Sequence, residues 1–116
     1  MAPGALSFNF INPHTKLFPD TTSPDDEIVD VGAFPHLAMV TKLLAPCVSE
    51  STVYLEHTLV RESNAWLTLL EIPIGPTATQ VAQEYYLTEF LRYLRWRTDE
   101  NAQPSTMLVV NGLARP

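Results

Sequence analysis

Polar and apolar residues alternate along several stretches of the chain. Residues 5 to 11, ALSFNFI, set Leu6, Phe8 and Phe10 against Ser7, Asn9 and Ile11, a period of two that predicts a half-buried or edge strand. Asn12-Pro13-His14 breaks it. Residues 12 to 27 are rich in Pro, Asp, Thr and Ser and read as an irregular loop or arm, with Lys16-Leu17-Phe18 the one place for a short returning strand. Ile28 to Val31 reads as a short strand closed by Gly32. The clearest alternation is TVYLEHTLVR, residues 52 to 61, with Val53, Leu55, His57, Leu59 and Arg61 on one side and Thr52, Tyr54, Glu56, Thr58 and Val60 on the other. Glu62-Ser63-Asn64 turns the chain, and Ala65 to Ile74 returns as its antiparallel partner. That partner is apolar on both faces except at Thr68 and Glu71, which suits a central strand with Pro73 where pairing ends.

Three stretches carry other patterns. Residues 78 to 97 contain no Gly or Pro, follow a Thr77/Gln80 capping-box pattern and gather Arg92, Arg95 and Arg97 near the end, so they predict a long helix. Its apolar positions, among them Tyr85, Tyr86, Phe90, Tyr93, Leu94 and Trp96, cover most of the helical circumference. Such a helix needs cover on more than one side, and a second copy of the chain is the expected cover. These six residues are therefore the expected self-association interface, and a charge at Phe90 or Leu94 is expected to abolish association. Residues 36 to 45 suit a short helix, with Leu37, Val40, Thr41 and Leu44 at helical spacing, or a strand. Residues 105 to 111 suit a strand through Leu108-Val109-Val110 or a short helix capped by Ser105.

The expected fold class is thus α+β: an antiparallel sheet packed by the helix at 78–97. With 116 residues, 46% of them hydrophobic and 17% charged, the chain reads as one globular domain, 1–116. The net charge of −6, with only seven basic residues, argues against general nucleic-acid binding and leaves only local, specific contacts. The lone Cys47 excludes an internal disulfide. MAPGALSFNF lacks a signal-peptide pattern and no apolar run reaches a membrane span, so the chain reads as soluble and unsecreted, with no membrane partner.

Chemistry is sparse. His14, His36 and His57 share no ligand spacing, and the acidic run Asp25-Asp26-Glu27 reads as a solvated loop, so no metal site is expected. Cys47 lacks an activating neighbour for nucleophilic work with His57. Glu56 and Glu71 lie on adjacent strands and would form a carboxylate pair only if the register put them side by side. The four glycines are scattered and make no phosphate loop. No catalytic residue, cofactor or small-molecule substrate is expected.

From Ser51 to Leu113 the order of features, HTLVRES, then LEIPI, then the stretch after a Thr-rich link, then PSTMLVVNGL, resembles the coat proteins of single-stranded RNA bacteriophages. The resemblance implies an antiparallel sheet with an N-terminal hairpin and two C-terminal helices. It further implies an interlocked homodimer built through 78–97, assembly of dimers into a shell, location in the virion and specific RNA as a partner. Arg61 is the only basic residue of the hairpin, and no RNA-binding residue is assigned. The competing order is β-α-β-β-α-β, a ferredoxin-like domain. That reading makes the chain a small dimeric binding or assembly module in the cytoplasm, or another virion part such as a head–tail connector subunit.

Overall fold

A computed structural model describes residues 4–62, 64–78 and 82–116. Eight strands account for nearly all regular structure: β1 (Leu6–Ile11), β2 (Val29–Asp30), β3 (His36–Ala45), β4 (Thr52–Thr58), β5 (Leu67–Pro73), β6 (Gln83–Leu87), β7 (Tyr93–Thr98) and β8 (Met107–Arg115). The sole helical piece among the described residues is the 3-10 turn Asp25–Glu27. The strands form two antiparallel sheets of order β1-β8-β3-β6 and β2-β7-β4-β5. Only β4 and β5 are consecutive neighbours in one sheet, and every other connection passes from one sheet to the other. This is the order of a jelly-roll sandwich, two Greek keys wrapped into facing sheets.

The expected α+β class does not hold, and neither the helix-covered sheet of the coat-protein resemblance nor the ferredoxin-like order is present. The described residues of 78–97 do not form a helix. Gln83–Leu87 pairs with β3 and Tyr93–Thr98 pairs with β2 and β4, on opposite sheets, with a turn at 88–92 between them. In β7 the pattern is strictly alternating: Leu94, Trp96 and Thr98 are buried while Tyr93, Arg95 and Arg97 face outward. The two-sided apolar character that suggested a partner-covered helix is two strands, each burying one face. Helix propensity is a weak prior that tertiary pairing overrides. Gln80, half of the expected capping box, lies outside the described residues, and Thr77 instead hydrogen-bonds Glu50 through its hydroxyl and amide at 2.8 and 3.2 Å.

The open stretches both resolve to strand. In β3, Leu37, Met39, Thr41 and Leu43 face the core and Ala38, Val40 and Lys42 face out. In β8, Leu108, Val110 and Ala114 face the core. At Gly112 the ring of Phe8 on β1 lies so close that an added Cβ would fall 2.1 Å from its Cζ, so only glycine admits the ring there. Strand 5–11 and the hairpin 52–61/65–74 are present with shortened ends, but β5 lies at the edge of its sheet and not in the centre expected from its apolar character.

The arm at 12–27 is bound to the sandwich. Leu17 is buried in the core. Ser23 N–H donates to the Trp96 carbonyl at 2.9 Å and Trp96 N–H donates back to Ser23 Oγ at 3.2 Å, while Thr98 N–H donates to the Thr21 carbonyl at 2.8 Å. This segment therefore extends the pairing along β7 beyond short β2. Asp99 closes the same end: its carboxylate accepts from Ser51 Oγ at 2.6 Å, Thr52 N–H at 2.9 Å and Asn101 N–H at 3.0 Å. The inner faces meet in one core that includes Phe10, Ile11, Met39, Leu55, Ile72, Ile74, Leu94 and Trp96.

Candidate interaction surfaces

The two outer faces of the sandwich differ in chemistry. On the sheet β1-β8-β3-β6, cross-strand pairing sets Leu113, Ala38 and Tyr86 in one row and Asn111, Val40 and Glu84 in the next, with Val109 beside Lys42. Leu44 and Met107 continue the line. Val40, Leu44 and Met107 are each 40% exposed and Tyr86 is 69% exposed. An outer sheet face is ordinarily polar, and this one carries an apolar stripe broken by single polar residues. Tyr86 donates its hydroxyl to Glu84 at 2.9 Å, and this hydrogen bond with the carboxylate raises the phenol pKa.

A second apolar surface lies at one end of the sandwich. Phe34, Leu59, Phe90 and Leu91, from three different loops, line a cleft of about 300 Å³ together with Val31, Gly32 and Arg92. Leu59 and Val60 are 64% and 53% exposed. Beneath this cluster His57 accepts the Leu91 N–H at Nδ1, 3.1 Å away. Desolvation lowers the His57 pKa below its ordinary 6.5. The folded chain thus refuses a proton that the unfolded chain accepts between 6.5 and the lowered value, and stability falls as pH drops through that window. Protonation also removes the Nδ1 acceptor. Amide exchange is expected to show the Leu91 N–H losing protection on acidification below about 6.5 in wild type; a Leu91 protection factor, corrected for the intrinsic pH dependence of exchange, that stays constant from neutral to mildly acidic pH would contradict the assignment.

The outer face of β2-β7-β4-β5 is charged. Tyr54, Glu56 and Thr58 on β4 stand opposite Arg97, Arg95 and Tyr93 on β7. Glu56 is buried and accepts from Arg95 Nε at 2.8 Å and Arg97 Nε at 3.1 Å. Each guanidinium also lies on an aromatic ring, Arg95 over Trp66 and Arg97 over Tyr54, both at 4.3 Å. Arg92 sits over Tyr93 at 5.0 Å and holds Asp30 through Nε and Nη2. The Arg92 hydrogen bonds, followed by the Gly32 amide, lower the Asp30 pKa. With Arg61 over the Tyr93 ring at 5.7 Å, four of the chain's five arginines lie on or beside this face.

The expected interface residues are not gathered in one place. Leu94 and Trp96 are core residues, 1% and 3% exposed. Tyr85 is half-buried against the core, Phe90 belongs to the end cluster, Tyr86 to the apolar stripe and Tyr93 to the charged face. Glu56 and Glu71 do not form a pair, because Glu56 stands opposite Thr68 and Glu71 opposite Tyr54. Cys47 is buried with its Sγ 2.8 Å from Thr106 Oγ1. His14 and His36 are exposed. Among the described residues no group of three or more His, Cys, Asp or Glu is placed to hold a metal ion, and no helix is long and apolar enough to cross a membrane. The Arg–aromatic face was missed because Arg92, Arg95 and Arg97 were read at helical spacing; the period of two in YLRWRT is the signal for it.

No family model and no curated protein sequence matches the chain.

Proposed function

We propose that the chain is a structural subunit that associates with copies of itself into a shell, a virion component without catalytic activity. The observation that carries this reading is that exposed apolar side chains gather on two separate surfaces, the stripe on β1-β8-β3-β6 and the cluster at the loop end. One self-complementary patch produces a dimer and stops. Two distinct patches allow growth beyond it. Face-to-face packing of the striped sheets, about 10 Å apart as in any sheet-on-sheet contact, would bury Val40 and Tyr86 and form the dimer. The loop-end cluster would then join dimers. Jelly-roll sandwiches serve as capsid, lectin and cupin domains, and the fold alone does not choose among them. The exposed apolar surfaces favour assembly.

Sedimentation velocity tests the dimer step. Wild type is expected to associate, and Val40→Lys to weaken association about 100-fold, because burying an ammonium costs several kcal/mol that Glu84 across the strand pair offsets only in part. Val40 is on the surface, so the variant keeps its fold. Equal association of the two proteins would contradict the role of the stripe.

A further inference from the structure

The charged face contains a cleft that the assembly reading does not use. Asp25, Ile28, Arg61, Trp66 and Arg95 line it, and its volume is about 260 Å³. Its lining carries two arginines against one acidic residue, Asp25. Among the described residues the ion pairs are Arg92–Asp30, Arg95–Glu56 and Arg97–Glu56. Glu56 thus serves two guanidiniums, leaving one positive charge over, and Arg61 has no carboxylate partner. Arg61 uses Nη2 to donate to the Asp25 backbone carbonyl at 2.8 Å. Arg95 uses only Nε, toward Glu56. A guanidinium has five N–H donors, so both arginines retain unused donors.

These cations are also held in place. The Trp66 ring supports the Arg95 plane at 4.3 Å while Glu56 fixes its Nε edge. A receptor group ordered before binding loses little entropy on binding. Forked N–H groups match oxyanions bidentately, and two forks from separate elements suit a tetrahedral anion with several acceptor oxygens better than a planar carboxylate, which one fork satisfies. We propose that this cleft binds a phosphate group through the free N–H donors of Arg61 and Arg95, with Trp66 as its wall. The phosphate belongs either to a free monoester or to a nucleic-acid backbone.

The test is NMR of the Arg61 and Arg95 side-chain N–H groups and the Trp66 indole N–H, titrating full-length protein separately with inorganic phosphate, adenosine monophosphate and a short single-stranded oligonucleotide. Saturable shifts at these groups with a Kd of about 1 mM or tighter are expected for at least one probe. Saturation by inorganic phosphate or the monophosphate assigns a free monoester. Saturation by the oligonucleotide alone assigns a backbone diester. Arg61→Gln, a surface change that leaves the melting temperature in place, is expected to weaken binding about tenfold or more, and Arg95→Lys to weaken it by removing the fork. Absence of saturable shifts with all three probes, or undiminished binding by folded Arg61→Gln, would overturn the proposal.

Discussion

Glu56→Ala is expected to lower stability by about 3 kcal/mol, a fall in melting temperature of roughly 10 °C or more for a chain of this size. Glu56 is the single carboxylate between Arg95 and Arg97, with its side chain 7% exposed and theirs 16% and 37% exposed. Its loss leaves two guanidiniums side by side on the outer face of β7 with no anion between them. The cost lies in the uncompensated charges more than in the lost bonds. Removing all three groups together, as Glu56→Leu with Arg95→Met and Arg97→Met, is accordingly expected to be much less damaging than Glu56→Ala alone. Denaturant unfolding of the single and triple variants measures this directly. A single variant as stable as wild type would show that the cluster is solvent-screened and energetically idle.

Leu94→Asp is expected to prevent folding at neutral pH. Leu94 is 1% exposed and lies inside the sandwich on β7. Deleting a buried leucine costs about 2–5 kcal/mol, and confining a carboxylate without a partner adds several more. The sum reaches the 5–15 kcal/mol that holds typical domains together. Tyr86→Asp, on the exposed stripe, is expected to fold normally and lose association. A helix with Leu94 on a partner-facing side would give the opposite result, a folded Leu94→Asp monomer. Far-UV circular dichroism and amide dispersion decide between them, and a native-like Leu94→Asp spectrum would contradict the sandwich.

Strands were legible in the sequence where one face is polar. Thr52, Tyr54, Glu56 and Thr58 alternate with Val53, Leu55 and His57, and the outer face they form is the one observed. Strands that are apolar on both sides were not legible. In β3, Val40 and Leu44 join Leu37 and Thr41 at helical spacing because the outward positions are apolar too. That same property makes the stripe a candidate contact surface. The stretch 78–97 misled for a related reason: β6 and β7 each turn one face to the core from separate sheets, and their sum imitates a helix that is apolar over most of its circumference. The pairings that decide the matter join β7 to β4 and β2, and β6 to β3, and local pattern carries no information about them. Of the candidate surfaces, Tyr86, Phe90 and Tyr93 were identified in the sequence, whereas the Arg61–Trp66–Arg95 cleft needs the hairpin and β7 placed side by side.

Negative-stain electron microscopy of purified wild-type protein, with static light scattering on the same sample, tests the shell assignment most directly. Closed particles of uniform size, disrupted by Val40→Lys, are predicted. A monodisperse 13.0 kDa monomer across protein concentration and salt would contradict it.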